Sequence, residues 1–413
     1  MKVQELRELF PHKSWEDLEP HIMSILRLQN NTGKPSGVTT RRTRRLHFFM
    51  FLRNMGLDDD HFMQSWSHQR RIWTLAMYSS HLCTGQTIRG KPIRADSIRG
   101  YLQDIAKFIY CRIGVDPRYE KGETHLADPI QRVLTEYERW EKEPNRRQPW
   151  TVAMQQHLDK VVTNATFEYG DDAFKPAVAD WTAFGLSAGI RRSEWVQPDA
   201  NHSSIDNPEL KDGMDIISAF LPGDWVFSDK SNKKLTHDQA LFVGIDNIAR
   251  LRVTWRTQKN GTNYETKLYL RNMKHPDLCP VVRAFSILER YSRVIGFDQP
   301  DVPLAVYKNG NGDSNRRLLY SEQVTKVIRD SAIAVMKLDP KKDKVELGRY
   351  SSHSLRVGAC QILYANGFSA YEIKHLLHWK SDAFMVYLRD IAWVARKQTE
   401  AMSTVADAVE PFL

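Results

Sequence analysis

Between Ser352 and Asp390 the chain carries His353-Ser-Leu-Arg356, then His378-Trp379, then Tyr387. These residue types fit phosphodiester cleavage. A guanidinium grips phosphate oxygens with paired, charge-assisted hydrogen bonds, and a tyrosine hydroxyl is a nucleophile once its proton is removed. On a helix the i, i+3 spacing of His353 and Arg356 puts both side chains on one face, and the second cluster ends in Tyr387 about two helical turns after it begins. Taken singly each residue has a plainer reading: His353 caps a helix and Tyr387 fills a core.

Two further pieces lie upstream. Gly189-Ile-Arg191-Arg192-Ser-Glu194-Trp follows a run of small and apolar residues and pairs Arg191 with Glu194 at i, i+3, which alone reads as a surface ion pair. Lys259 sits in Gln258-Lys259-Asn260-Gly261-Thr262-Asn263, and a turn lysine alone is solvent decoration. The order Arg191, Lys259, His353-x-x-Arg356, His378/Trp379, Tyr387 gives these pieces joint weight.

The elements that must position them follow from periodicity. Helices are expected over roughly 15 to 29, 38 to 55, 60 to 83, 95 to 113 and 126 to 142. The second contains Leu46, Phe48, Phe49, Met50, Phe51 and Leu52, too many consecutive apolar residues for one stripe, so it should pack inward on more than one side. Glu143 to Pro149 is polar, basic and bracketed by prolines, which makes 144–149 the expected linker between domains 1–143 and 150–413. Beyond it, Trp150 to Val162 and Ala177 to Ala188 read as helices. Ala249 to Thr257 and Tyr264 to Arg271 alternate like strands around Asn260-Gly261, a strong hairpin signal. Helices return over 279 to 294 and 321 to 337 and continue with short breaks. The fold class expected is mainly α with a small β-sheet.

Composition agrees. A chain of 413 residues exceeds the size at which single cores stop growing, about 250 to 300 residues, and no stretch approaches the ~20 apolar residues of a membrane span. The start, MKVQELRELF, is amphipathic and charged where a secretion signal would be apolar, so an intracellular protein is expected, in the nucleus of a eukaryotic host or otherwise in the cytoplasm. Cys83, Cys111, Cys279 and Cys360 lack metal-type spacing and read as reduced thiols.

The formal net charge of +9 suggests a polyanionic partner. Residues 1–147 hold 25 Lys and Arg against 18 Asp and Glu, so most of the excess lies in that third of the chain. It clusters at Arg41, Arg42, Arg44 and Arg45, at Arg70 and Arg71, at Arg89, Lys91, Arg94 and Arg99, and at Arg146 and Arg147. Each run alone is a solvated face, but several among helices favour a surface that tracks phosphates.

The ordered set, over Trp150 to about Met402, resembles the catalytic domain of the tyrosine recombinases, the Cre and phage-integrase family, and the preceding helical part resembles that family's core-binding domain. Leu278-Cys-Pro-Val-Val-Arg-Ala-Phe and Trp379-Lys-Ser-Asp-Ala-Phe-Met-Val-Tyr387-Leu are similar to recombinases of eukaryotic mobile elements. The resemblance implies that Tyr387 attacks phosphorus to leave a 3′-phosphotyrosyl link and a free 5′-hydroxyl, with no metal or nucleotide cofactor. It gives Arg191 and Arg356 the non-bridging oxygens, Lys259 the leaving oxygen, His353 proton transfer, and Glu194 a supporting role. A histidine or tryptophan usually stands nine residues before the nucleophile. Here that is His378, and Trp379 at eight is the lesser candidate. The segment Asp390 to Val409 either packs on its own domain or, by the resemblance, docks on a neighbouring protomer to build a tetramer on two double-stranded DNA sites. The expected function is site-specific DNA recombination or integration. The alternatives are a type IB topoisomerase-like enzyme and a domesticated DNA-binding protein without strand cleavage.

Overall fold

The computed structural model describes residues 35–57, 60–87, 90–143, 145–165, 173–205, 218–258, 263–310, 315–379 and 381–388. Arg89, Lys259, the segment 15–29 and the segment following Leu388 lie outside them. The chain divides into two units, Met1–Pro144 and Asn145–Leu413, and it is mainly helical with one small antiparallel sheet, as expected. No described helix is long and apolar enough to cross a membrane.

In the first unit, α1 (Pro35–Asn54), α2 (His68–Cys83), α3 (Ala95–Ile113) and α4 (Asp128–Trp140) share one core. Helix α3 shows the reason most plainly: Ile98, Leu102, Ile105 and Ile109 recur on one face and are fully buried. Gly114, in the left-handed conformation at φ 69°, ends it. One expectation needs correction. Helix α2 begins at His68 and not at residue 60, because Met63 adopts φ 52° and the Asp60 carboxylate holds Ser65 N and Oγ at 2.8 Å each, while Ser67 caps the real start. In α1, Phe48 and Phe51 meet Tyr78 of α2 while Phe49 meets Phe108 of α3, the inward packing on more than one side that the apolar run implies, and Leu46 and Met50 remain about half exposed.

The second unit is built around α6 (Lys175–Ala188). Among its residues Ala177 to Leu186 are buried without a break, the pattern of a helix surrounded on all sides. Helix α5 (Val152–Thr163) packs beside it. A four-stranded sheet lies nearby, with β1 (Trp225–Asp229), β2 (Lys234–Leu235), β3 (Ile248–Trp255) and β4 (Glu265–Leu270) in the order β2-β1-β3-β4 and every pair antiparallel. The helix α7 (His237–Val243) joins β2 to β3. Trp225, Phe227, Leu251 and Val253 bury one sheet face against α8 (Pro280–Val294) and α6. The sequence reading finds the β3–β4 hairpin but not β1 or β2, whose inward alternation extends over only Trp225 and Phe227 in a lysine-rich stretch. Arg283 of α8, inside the run Leu278 to Phe285, bonds Asp180 at 3.0 Å and Asp159 at 2.6 Å, and Arg290 also reaches Asp180. That cluster ties α5, α6 and α8 together.

The chain continues through the ribbon β5 (Val306–Lys308) and β6 (Arg316–Leu318), then α9 (Ser321–Met336), α10 (Lys344–Leu347), α11 (Ser354–Ala365), α12 (Ala370–Leu376) and a 3-10 turn, Asp382–Tyr387. Helix α11 is pressed against the segment that opens this unit: Trp150 N donates to Ser354 O at 2.9 Å. Gly358 makes that approach possible, since a Cβ there would lie 2.1 Å from Trp150 O and 3.2 Å from Leu186 Cδ2. Neither the backbone oxygen nor a buried leucine can yield cheaply. Gly358→Ala is therefore expected to lower unfolding free energy by about 2 kcal/mol, measured by urea denaturation, with the clash outweighing the gain of about 1 kcal/mol that alanine brings to a helix interior.

Candidate active site

Helix α6 ends at Gly189, whose φ of 58° reverses the chain so that Ile190 turns inward and Arg191 emerges extended at the head of a 3-10 turn, Arg192–Glu194. A Cβ at Gly189 would sit 2.5 Å from Leu377 Cδ2, so the glycine also lets the end of α12 approach. Glu194 is 2% exposed. Its carboxylate accepts from Arg191 N at 2.7 Å, from Arg191 Nη1 at 3.0 Å and from Trp255 Nε1 at 3.3 Å. The surface ion pair expected from the local sequence is thus an interior one, because a tryptophan from β3 covers it.

Arg356 lies in the first turns of α11 and is 3% exposed. It donates through Nη1 to Gly189 O and through Nη2 to Leu377 O, each at 2.7 Å, and its guanidinium stands 4.6 Å from the Trp379 ring centre. Arg191 Nη2 donates to His378 O at 2.9 Å. The two guanidiniums therefore converge on one stretch, Leu377-His378. Burial, and then the neighbouring Arg191 charge, pushes the Arg356 pKa down to about 10.

His353 occupies the N-cap position of α11, and its Nε2 is 2.9 Å from the Tyr387 hydroxyl. Gln361 Nε2 donates to Tyr387 O at 3.0 Å, and the Trp379 and Tyr387 ring centres are 5.9 Å apart. Burial raises the Tyr387 phenol above its ordinary value, with the Arg356 charge opposing. The hydroxyl is thus protonated at neutral pH and hydrogen-bonded to a base, the arrangement of a nucleophile activated during attack.

His378 has φ 55°, a left-handed conformation that costs a non-glycine residue roughly 1–2 kcal/mol. It follows the last turn of α12 and is 5% exposed. Its Nδ1 is 2.6 Å from Glu265 Oε2, and its ring centre is 4.5 Å from that of Trp255. Trp379 instead faces Arg356, Phe384 and Tyr387. So His378 joins the hairpin side of the site, and Trp379 the nucleophile side.

The structure thus brings together Arg191, Glu194, His353, Arg356, His378, Trp379 and Tyr387. Sequence reasoning missed Glu265 and Lys267 of β4, Gln258 and Trp255. Lys267 Nζ donates to His375 O at 3.0 Å and also to Leu376 O, 5.8 Å from the Trp255 ring centre. Burial is the main cause that pushes its pKa down to about 8, with the Arg356 and Arg191 charges adding to it. The alternation in Tyr264 to Arg271 held a signal, since it places Glu265, Lys267 and Tyr269 on one face. What it lacked was which face meets the arginines.

The basic residues outside this cluster are mostly engaged locally. Arg44 donates to Asp104 at 2.6 Å and to Gly100 O at 3.1 Å, and it lies over Tyr101. Arg45 lies over Phe108. Arg94 bonds Glu141 at 2.9 Å, and Arg99 pairs with Glu138 and Asp96. Arg147 donates to Gly348 O, while Arg146 O accepts from Arg349 at 2.8 Å. Arg42 and Lys91 are exposed and Arg41 is partly so. A carboxylate beside each of Arg44, Arg94 and Arg99 must be screened or displaced before those guanidiniums meet a phosphate.

No protein-family model matches the chain, and no curated protein is significantly similar to it. Among solved structures, a fragment of the Tn1549 transposon integrase in complex with transposon right end DNA is similar at 11% identity and a TM-score of 0.42, covering 80% of this chain and 85% of that one. A second structure of that integrase, with a circular intermediate DNA, gives 12% identity and a TM-score of 0.42 over 91% and 97% of the two chains.

Lys267 yields a direct test of the site's electrostatics. Its pKa is lower folded than unfolded, so the penalty for its charge is fully present below about 8 and vanishes as pH rises through the unfolded value near 10.5. Lys267→Met is expected to be the more stable protein at pH 7, by about 2 kcal/mol. In thermal melts that advantage should shrink steadily between pH 8 and 10.5, and equal melting at pH 7 would contradict the depressed pKa.

Proposed function

We propose that this chain is a site-specific DNA recombinase or integrase that cuts and reseals strands through Tyr387. The observation that carries the reading is the contact between His353 Nε2 and the Tyr387 hydroxyl beside two converging arginines. Strand cleavage by attack on phosphorus accumulates negative charge on the non-bridging oxygens, which Arg191 and Arg356 are suited to bind.

In this mechanism Tyr387 Oη forms a bond to phosphorus as its proton passes to His353. The bond from phosphorus to the 5′-oxygen breaks, and a lysine gives that oxygen a proton. The products are a 3′-phosphotyrosyl link and a 5′-hydroxyl, and attack by a 5′-hydroxyl reverses every step. The resemblance assigns the lysine role to Lys259 on the hairpin tip. Lys267, with an ammonium that deprotonates near pH 8, is a second proton source in the same cluster. Arginines and lysines of both units would hold the DNA backbone, and assembly would be a homo-tetramer on two sites.

The test is a covalent trap. Protein incubated without added metal with a pool of nicked duplexes of random sequence is expected to give adducts that resist SDS, absent from Tyr387→Phe and reduced about 10²- to 10³-fold in Arg356→Lys, which keeps charge but loses the fork. Sequencing the trapped DNA should return one site. Adducts with no site preference, and relaxation of supercoiled plasmid by a monomer, would favour the topoisomerase-like reading. A bound pool without adducts would favour a non-cleaving DNA binder. A sulfur in place of the leaving 5′-oxygen needs no proton, so it should restore cleavage to whichever of Lys259→Ala and Lys267→Ala has lost the proton donor.

A further inference from the structure

His378 is held more tightly than a phosphate contact alone requires. Its backbone is left-handed, its carbonyl accepts from Arg191, its ring packs at 4.5 Å on Trp255, and its Nδ1 meets Glu265 Oε2 at 2.6 Å. Gln258 Nε2 donates to the same carboxylate oxygen at 2.9 Å and lies 3.2 Å from Nδ1. An amide N–H and a ring N–H cannot point at one another, so a consistent arrangement has both donating to Glu265. That places the imidazole proton on Nδ1. Trp255 pairs with Glu265 across the two strands, and Gln258 lies between Trp255 and the hairpin tip, so the clasp belongs to the two strand ends that carry the tip.

A neutral imidazole protonated at Nδ1 has an acceptor at Nε2. It can donate a hydrogen bond to a phosphate only after taking a second proton. The charges facing the ring are Glu265 and Lys267 from β4 and Arg191 from the turn after α6; Arg356 from α11 lies beyond them. Without DNA, burial and the cations prevail and hold the ring neutral, with its pKa pushed down to about 4. A phosphate between the arginines would cancel much of that cationic field, and the carboxylate on Nδ1 would then favour the imidazolium.

We propose that Glu265, seated by Gln258, is the positioning residue of His378: it fixes the proton on Nδ1 and lets the ring become a charged donor when a DNA phosphate enters the site. This rests on the strand-cleaving reading for its catalytic consequence but not for the state of the ring, and the two are measured separately. In the DNA-free protein, nitrogen chemical shifts of 15N-labelled histidine at pH 7 should report His378 protonated at Nδ1 in the wild type. In Glu265→Leu, which removes the acceptor, the proton should redistribute towards Nε2. An Nε2-protonated ring in the wild type, or the same tautomer in both proteins, overturns the proposal whether or not Tyr387 cuts DNA.

For the catalytic part, single-turnover cleavage is followed from pH 5 to 9. In Glu265→Gln the amide oxygen still accepts from Nδ1–H but the charge is gone, so the limb on which cleavage falls with rising pH should move at least one unit towards acid. The expected loss is tenfold or more at pH 7, narrowing to about threefold at pH 5. In a His378→Trp background the donor keeps its proton at every pH, and adding Glu265→Gln should cost less than threefold. A loss of the same size at all pH values, or an undiminished loss in the tryptophan background, would reduce Glu265 to a structural contact. Absence of adducts from the wild type would instead count against the strand-cleaving reading, leaving the tautomer result standing.

Discussion

Two neighbouring guanidiniums, Arg356 buried and Arg191 half-buried, are the constraint from which the rest of the second unit's candidate site follows. Bringing Arg191 and Arg356 out of water and close to one another costs energy twice, by lost hydration and by like-charge repulsion. Their neighbourhood repays this only in part. Glu194 supplies one interior carboxylate, and the remaining partners are carbonyl oxygens: Gly189 O just past the end of α6, and Leu377 O and His378 O just past the end of α12. Lys267 is held in the same way, by His375 O and Leu376 O. The last turn of a helix carries about half a negative charge on unsatisfied carbonyls, so two helix ends aimed at three cations stabilise them without neutralising them. The centre stays cationic.

That arrangement dictates the backbone around it. Carbonyls can reach the guanidiniums only if the ends of α6 and α12 come together, which a side chain at Gly189 would prevent. Arg356 reaches the carbonyls only if α11 lies hard against the segment at Trp150, which a side chain at Gly358 would prevent. The flat faces of Trp255 and Trp379 then close the site on two sides, Trp255 against the His378 ring and Trp379 against Arg356. A guanidinium tolerates an aromatic face better than an aliphatic wall because the π-electrons carry negative potential. The left-handed strain at His378 fits the same logic. Its carbonyl is turned to Arg191 and its ring to Glu265, and both contacts depend on that turn.

Much of this was legible in the sequence, and the part that was not has a common cause. The bounds of α3 and the β3–β4 hairpin were readable because period and turn chemistry are local. The order Arg191, His353, Arg356, His378 and Tyr387 was readable because reactive residue types stood in an unusual combination. The local motif alone reads Glu194 as half of a surface pair, and its supporting role came only from the resemblance, since nothing within four residues announces that Trp255 will cover it. Lys267 and Glu265 were passed over for the lysine at the turn, because alternation defines two strand faces without saying which one meets a pair of arginines. Arg44, Arg94 and Arg99 read as free basic groups, while their partners Asp104, Glu141 and Glu138 lie between 39 and 60 positions away. In each case the deciding contact crosses between elements, and only the fold brings it into being.

The proton positions follow a division of labour across those elements. Burial keeps the Tyr387 phenol protonated, and in the proposed mechanism its proton would pass during attack to His353, anchored at the start of α11. On the other side, Lys267 and Glu265 lie on β4 and Glu265 holds the ring of His378 against that hairpin, and burial, then the neighbouring cations, push the pKa of both the lysine and the ring down. The base and acid of the proposed mechanism would thus sit on separate pieces of structure that meet at the phosphate. While the site is empty, burial disfavours ionisation of Tyr387, and the Arg356 charge offsets that only in part. In the proposed mechanism the tyrosine's proton would end on His353 and the lysine's on the 5′-hydroxyl, so the return path would need only a 5′-hydroxyl to attack phosphorus, pass its proton back to a lysine and let the tyrosine leave with the proton from His353.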